Sequence, residues 1–250
     1  MRVKLTLEYD GTDFSGWQVQ PKQRTVQGTL EAALLRLVGQ EIRVEGAGRT
    51  DAGAHALRQV ASLKLETTIP SQKLAQALNS LLPGDVKVLC SEEVPENFHA
   101  RFSATGKVYR YVALLRDEGS PLQRHRAWHI GTRVDTDKIR DALPLLVGRH
   151  DFRAFCAAKS SATTTVRTIR EAKIATEGEL VAVEFAGNGF LYHMVRIIMG
   201  ALVAVGGGKV DQEALTLALS SGCRPLAFIT APAHGLYLVA VEYGQATSPH

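Results

Sequence analysis

Three cysteines in 250 residues are too few and too scattered to staple a fold. Cys90, Cys156 and Cys223 are odd in number and form no C-x-x-C, so neither a disulfide framework nor a cysteine-rich zinc site organises the chain. Reduced thiols in a cytoplasmic protein are expected. No apolar run reaches membrane-spanning length; the longest, Met194 to Val205, is interrupted by Arg196. Met1-Arg2-Val3-Lys4-Leu5 alternates like a strand and lacks the apolar core of a signal peptide. Two nucleotide-binding patterns also fail. Gly46-Ala47-Gly48 needs its third glycine at position 51, where Asp51 stands and would repel a pyrophosphate. Gly206-Gly207-Gly208-Lys209 lacks both the first glycine of a phosphate loop and the hydroxyl residue after the lysine, and reads as a helix stop.

The composition that remains is that of a globular protein, with 45% hydrophobic and 22% charged residues. A chain of this length forms one large domain or two small ones. The net charge is +4 but unevenly spread. Arg101 to Lys173 holds 15 Lys and Arg against 7 Asp and Glu, while the rest holds 14 against 18. A basic middle between acidic ends suits a phosphate-bearing partner, and equally a solvated basic face.

Alternation marks a strand at Val3–Tyr9, followed by the turn signal Asp10-Gly11-Thr12-Asp13. Apolar residues at helical spacing predict a helix over Val26–Val38, with Thr25 as N-cap and Gly39 as stop. Strands are expected at Ile42–Glu45, Val60–Leu65 and Val86–Leu89, and a helix at Leu74–Leu82. The pattern restarts after Arg101. It gives a strand at Val108–Leu115, a helix over Thr136–Val147 disturbed by Pro144, and a hairpin of Val166–Ala175 with Leu180–Ala186. Helices at Tyr192–Val205 and Asp211–Ser220 and a strand at Leu236–Glu242 complete it. Glu8-Tyr9-Asp10-Gly11-Thr12-Asp13-Phe14 faintly repeats in Glu184-Phe185-Ala186-Gly187-Asn188-Gly189-Phe190. Two related α+β halves with antiparallel sheets would explain the repeat. The expected division is 1–104 and 105–250.

The segment Arg49-Thr50-Asp51-Ala52-Gly53-Ala54-His55-Ala56 has little apolar surface and carries two charges. It reads as a tight strand-to-helix turn with Asp51 at its tip. Taken alone, Asp51 is more readily a helix cap or the partner of Arg49 than a catalyst. An ionised carboxylate among small neighbours is nonetheless a competent nucleophile. His55 is more readily a packing or hydrogen-bonding group than a base. Lys107-Val108-Tyr109-Arg110-Tyr111 puts both tyrosines and Lys107 on one strand face, an arrangement suited to stacking a base and holding its phosphates. For Tyr111 ordinary packing is the better reading; for Tyr109 the two are even. Arg196 sits in an apolar helix and needs an anionic partner, for which Asp51 is a candidate.

Several blocks together carry a resemblance. They are Glu8-Tyr9-Asp10-Gly11-Thr12-Asp13-Phe14-Ser15-Gly16-Trp17-Gln18, Gly48-Arg49-Thr50-Asp51-Ala52-Gly53-Ala54-His55 and Phe98-His99-Ala100-Arg101-Phe102-Ser103-Ala104. Further on come Tyr109-Arg110-Tyr111, Phe190-Leu191-Tyr192-His193-Met194-Val195-Arg196 and Ala231-Pro232-Ala233-His234-Gly235-Leu236-Tyr237. With these blocks in this order, nearly the whole chain resembles the tRNA pseudouridine synthase A family. The resemblance implies the pseudouridine synthase fold: an α+β protein of two related ferredoxin-like α/β halves, with antiparallel sheets flanked by helices and a catalytic cleft between the halves. It implies isomerisation of uridines 38, 39 and 40 in the anticodon stem-loop of tRNA after base flipping. It also implies a homodimer that binds tRNA and uses no metal or organic cofactor. Asp51 would be the nucleophile, Tyr109 would contact the target base, and Arg196 would pair with the catalytic aspartate. Arg49 would bind substrate and help keep Asp51 charged. Ala54 and Arg58 depart from the family's usual valine and small residue without touching these groups.

Two other readings fit parts of the pattern. A non-catalytic RNA-binding module needs the basic surface and aromatics but not Asp51. A glycosidase needs two carboxylates such as Asp13 and Asp51, and no basic face.

Overall fold

Alternation in β1 (Arg2–Tyr9) turns Val3, Leu5, Leu7 and Tyr9 to one buried face, the period-two pattern of a half-covered strand. A computed structural model describes residues 1–158 and 162–244 of the chain. After β1 come α1 (Val26–Val38), β2 (Glu45–Gly46), β3 (His55–Lys64), α2 (Ser71–Asn79), β4 (Val86–Val94) and β5 (Ala104–Leu114). Then follow β6 (Trp128–His129), α3 (Thr136–Ala142), β7 (Gly148–Asp151), β8 (Val166–Glu177), β9 (Leu180–Gly187), α4 (Met194–Gly206), α5 (Glu213–Ser221) and β10 (Leu236–Tyr243). The fold is α+β, as expected; β1 pairs antiparallel with β3 and β4, β2 with β3, β9 with β5 and β8, and β7 with β8, while β6 joins β5 in parallel. Among the described residues no helix is long and apolar enough to cross a membrane.

The chain divides into two compact units. One is Met1–Thr105 together with the chain from Leu238 onwards; the other is Gly106–Tyr237. The last strand, β10, lies between β3 and β5 and falls mostly in the first unit. Tyr243 packs on Phe98 with ring centroids 5.0 Å apart, and its hydroxyl donates to Ala100 O at 2.7 Å, which ties β10 to the first unit.

In the first unit the strand order is β4-β1-β3-β10, with β2 against β3. Val3 faces Leu63 and Leu5 faces Ala61 across the β1–β3 ladder. Helix α1 begins and ends where its signals stand. The Thr25 side chain accepts from Gly28 N, and Gly39 closes the helix in the left-handed conformation at φ 71°. The strand expected at Ile42–Glu45 shrinks to Glu45–Gly46. The backbone of Val44 is taken by α1 instead: its N donates to Glu31 Oε1 and its O accepts from Gln27 Nε2. Helix α2 starts three residues before the expected Leu74, directly after Pro70.

In the second unit the order is β5-β9-β8-β7, with the short β6 beside β5. The β8–β9 hairpin turns at Gly178, whose φ is 58°. Helix α3 gives way at Leu143–Leu146 to a 3-10 turn holding Pro144, because proline cannot donate to the helical ladder. Helix α4 is buried on nearly every side and stops at the glycines 206–208. Gly206 packs on α3, where a side chain would meet Val134 and Ile139.

Candidate active site

Asp51 lies in the loop between β2 and β3, and the element after it is a strand beginning at His55. This overturns the strand-to-helix turn, and helix capping is not the role of Asp51. The segment is also more deeply packed than its composition suggests. Thr50, Ala54, His55 and Ala56 are buried, and Asp51 is half-buried between them.

The residues after β1 hold this loop. Trp17 N donates to Thr50 O at 3.1 Å, and Gly53 N donates to Phe14 O at 3.2 Å. Within the loop, Ala54 N returns to Asp51 O at 3.1 Å. The two segments approach so closely that side chains are excluded. A Cβ on Gly11 would lie 1.9 Å from Ala54 O, and one on Gly16 would lie 2.7 Å from Thr50 O. Gly16 also has φ +87°, a conformation that suits glycine. Gly46 makes room for the Trp17 ring in the same way.

Polar side chains fix both flanks of Asp51. The Tyr9 hydroxyl and Thr50 Oγ1 are 2.8 Å apart, and Gln59 Nε2 donates to Gly48 O at 2.9 Å. Burial of Tyr9 pushes its pKa up to about 12, against the opposing hydrogen bonds of Thr50 and Gln59, so its hydroxyl keeps its proton at neutral pH. On the other flank His55 is 3% exposed, and its Nδ1 accepts from Gly11 N at 3.1 Å. With Nδ1 engaged as acceptor, the Asp10 carboxylate 3.2 Å away is a neighbour of that nitrogen. His55 thus packs and hydrogen-bonds in the turn, as its setting in the sequence suggested. Arg49 is exposed and donates Nε to Gln18 Oε1 at 3.2 Å. Arg58 is exposed on β3.

Tyr109 and Arg196 belong to the second unit. Tyr109 faces Phe185 across the β5–β9 ladder. It is 8% exposed and meets Phe190 edge to face, with centroids 5.1 Å apart. Arg196 lies in the first turn of α4, which starts after His193 in a left-handed conformation at φ 60°. Its Nε donates to Ala231 O at 2.7 Å, and Ala231 N donates back to Arg196 O at 3.1 Å. The carbonyl answers one of the guanidinium's five N–H groups and fixes the plane of the fork. Tyr111 is fully buried, as expected of a packing residue, and its hydroxyl donates to Pro232 O at 2.7 Å. Burial raises its pKa, which the positive charge of Arg196 partly offsets.

Thus the first unit places Arg49 and Asp51 on one loop, and the second places Arg196 near Tyr111, itself on the strand that carries Tyr109. Sequence reasoning missed the residues that hold the loop: Tyr9, Gly11, Gly16, Trp17 and Gln59. The signal for all but Gln59 was the run Glu8 to Gln18, in which two glycines and a tryptophan follow a strand. Arg101, Arg124, Arg126, Arg133, Arg149 and Arg170 of the basic middle are exposed. Cys90, Cys156 and Cys223 are free thiols. Among the described residues no group of three or more His, Cys, Asp or Glu side chains is placed to hold a metal ion.

The chain matches the family model described as tRNA pseudouridine synthase over residues 6–103 and 142–244. It is 44% identical over 241 residues to the tRNA pseudouridine synthase A of Thermoanaerobacter sp. (strain X514), covering 96% of this chain and 99% of the relative. It is 45% identical over 241 residues to that of Acetivibrio thermocellus, with the same coverage. Against that of Anoxybacillus flavithermus it is 46% identical over 243 residues, covering 97% of this chain and 98% of the relative. With the family's pattern in both halves and relatives this similar along nearly their whole length, the chain belongs to the tRNA pseudouridine synthases, which are isomerases.

Proposed function

We propose that the enzyme isomerises uridine at positions 38, 39 and 40 of the tRNA anticodon stem-loop, with Asp51 as nucleophile and the target base flipped out of its stem. The observation that carries this reading is the clamped loop. A half-buried carboxylate stands beside Ala52 and Gly53, and its flanks are fixed by Tyr9, Gln59 and the backbone of Phe14 and Trp17. Such a group is preorganised, and its small neighbours leave room for a base.

The other residues take roles their settings support. Tyr109, with its ring steadied by Phe190, stacks on the flipped uracil. Arg196, with its fork oriented by Ala231, pairs with the Asp51 carboxylate and keeps it ionised. Arg49, exposed beside the nucleophile, binds the substrate. The exposed arginines from Arg101 to Arg170 follow the RNA backbone. The enzyme works as a cytoplasmic homodimer without a metal or organic cofactor, a reading that rests on the family pattern.

Asp51 attacks either C6 of the uracil or C1′ of the ribose. Both routes end when the hydrogen on C5 leaves as a proton, so release of tritium from [5-³H]uracil in tRNA counts turnovers by either. Wild-type protein should release tritium from tRNAs whose only labelled uridine is at 38, 39 or 40. Asp51→Ala and Asp51→Asn should bind the same tRNA and release none. Tritium release by Asp51→Ala would remove Asp51 from the nucleophile's role. Release from labels elsewhere in the tRNA but not from these three would remove the positional assignment. The mass of the native protein in solution decides between one copy and two.

A further inference from the structure

The largest apolar side chain exposed among the described residues of the first unit sits on one of its most firmly tied turns. Phe102 is 75% exposed, in the turn between β4 and β5. Backbone groups of that turn are engaged at almost every step. Phe98 O accepts from Arg2 Nε at 2.9 Å, Ala100 N donates to Ser62 Oγ at 3.0 Å, and Ala100 O accepts from the Tyr243 hydroxyl. Ser103 N donates to His99 O at 2.9 Å, and His99 N donates to Ser103 Oγ at 3.0 Å. Arg101 N and Phe102 N both point at His99 Nδ1, at 3.0 and 3.4 Å. Rigidity of this kind normally serves a buried side chain. Here it holds a phenyl ring out in water.

The ring's surroundings indicate what meets it. The His99 imidazole lies against Phe102 with centroids 4.3 Å apart and planes tilted by 42°, and its Nε2 is 3.6 Å from Glu45 Oε1, which steadies the imidazole. The Arg101 guanidinium stands 5.6 Å from the ring centroid and is itself exposed. An exposed aromatic face, backed by a second ring and flanked by a cation, matches a nucleobase and its neighbouring phosphate. A loose apolar contact with protein would call for neither the second ring nor the arginine.

We propose that Phe102 is a stacking platform for a nucleobase of the bound tRNA, with Arg101 meeting the adjacent phosphate. The inference deepens the proposed function by naming a second place, apart from Tyr109, where a base of the opened stem-loop is held. It rests on tRNA as the substrate and not on how Asp51 acts.

The test measures binding of an anticodon stem-loop RNA by Asp51→Ala protein, with and without changes at Phe102, at one salt concentration. Adding Phe102→Ala should weaken binding roughly 5- to 150-fold, the effect of removing one base–aromatic stack. The thermal midpoint should move by no more than about 2 °C, because the side chain is mostly in water. Phe102→Trp should restore binding, and Phe102→Leu, apolar but not flat, should not. With 2-aminopurine placed at successive positions of the stem-loop, one label should be quenched by protein carrying Phe102 and not by the Phe102→Ala form. Equal binding with and without Phe102→Ala would overturn the platform. So would full binding by Phe102→Leu, or a halved native mass in Phe102→Ala, since either would make the ring an apolar contact instead. An Asp51 that proved not to be the nucleophile would leave every one of these readings unchanged.

Discussion

The two units present their proposed functional groups by opposite means. In the second, Tyr109 and Arg196 ride on a regular strand and a regular helix, and one extra bond, from Arg196 Nε to Ala231 O, completes the placement. In the first, Asp51 sits on an irregular loop, whose order is borrowed from the segment after β1 through backbone bonds and close glycine contacts. A strand or helix resists distortion along its whole ladder. A loop does so only at its clamps. The Asp51 loop should therefore fail at single residues away from Asp51, whereas the second unit should fail at Tyr109 and Arg196, the residues proposed to act.

The sharpest way to break this contrast uses two glycines that occupy matching places in the faint sequence repeat. Gly11 follows β1 and Gly187 ends β9. A methyl at Gly11 would stand 1.9 Å from Ala54 O, whereas one at Gly187 would stand 2.7 Å from Thr168 O and 3.2 Å from Phe190 Cζ. Gly11→Ala must push the Asp51 loop bodily away. It should cost stability at the upper end of the roughly 1–3 kcal/mol typical of overpacking, and lower kcat by about 100-fold or more. Gly187→Ala should cost stability with less loss of kcat, because the strand and helix that carry Tyr109 and Arg196 resist the strain along their whole ladders. Denaturant unfolding and single-turnover tritium release read the two effects separately. Equal losses of kcat in both variants would end the distinction between clamped loop and regular element.

Local signals were legible and contacts distant in sequence were not. Thr25 and Gly39 bracket α1 because a cap and a left-handed stop are encoded next to the helix they bound. Pro144 marks where α3 tightens for the same reason. The His55 end of β3 was missed because His55-Ala56-Leu57 lacks the β-branched pattern of a strand. Its pairing with β1 imposes the extended form that its own residues do not favour. Val44 lost its expected ladder to Glu31 and Gln27, side chains of an earlier helix. Asp51 and Arg196 stood out because each is a charge at odds with its own stretch, whereas Tyr109 gained its role only from the family resemblance. Tyr9 and Gly11 looked ordinary, since their meaning lies in Thr50 and Ala54, some forty residues on.

A smaller effect sharpens the picture in the second unit. Arg196→Lys keeps the positive charge but loses the planar fork and the Nε donor to Ala231 O. A hydrogen bond from a charged group contributes roughly 1.5–3 kcal/mol, so the rate of the chemical step should fall about 10- to 100-fold. Affinity for tRNA should stay within about twofold, because the charge remains. Stopped-flow binding with single-turnover release separates the two. A chemical step of undiminished rate in Arg196→Lys would show that charge alone suffices and that orientation by Ala231 has no part.

The smallest effect concerns the tyrosine behind the loop. Tyr9→Phe removes the hydroxyl that meets Thr50 Oγ1 and leaves a buried polar atom without that partner, at a cost of about 1–3 kcal/mol at neutral pH. It should also change the response to alkali, and the sign follows from the proton. In the folded protein burial holds the Tyr9 pKa at about 12, above the ordinary value of 10.0 that the unfolded chain recovers. The contribution of the neutral phenol is therefore complete below pH 10 and is lost between about pH 10 and 12, as the unfolded chain ionises first. The slope is about 1.4 kcal/mol per pH unit for each such group. Tyr111 and Tyr243 are raised in the same direction by burial and add to the same limb. Stability measured by urea from pH 8 to 11.5 should fall less steeply in Tyr9→Phe than in wild type, by one proton's share. If the two curves ran parallel above pH 10, the Tyr9 hydroxyl would be ionising as freely in the folded protein as in water, and water would be reaching a ring that the structure buries.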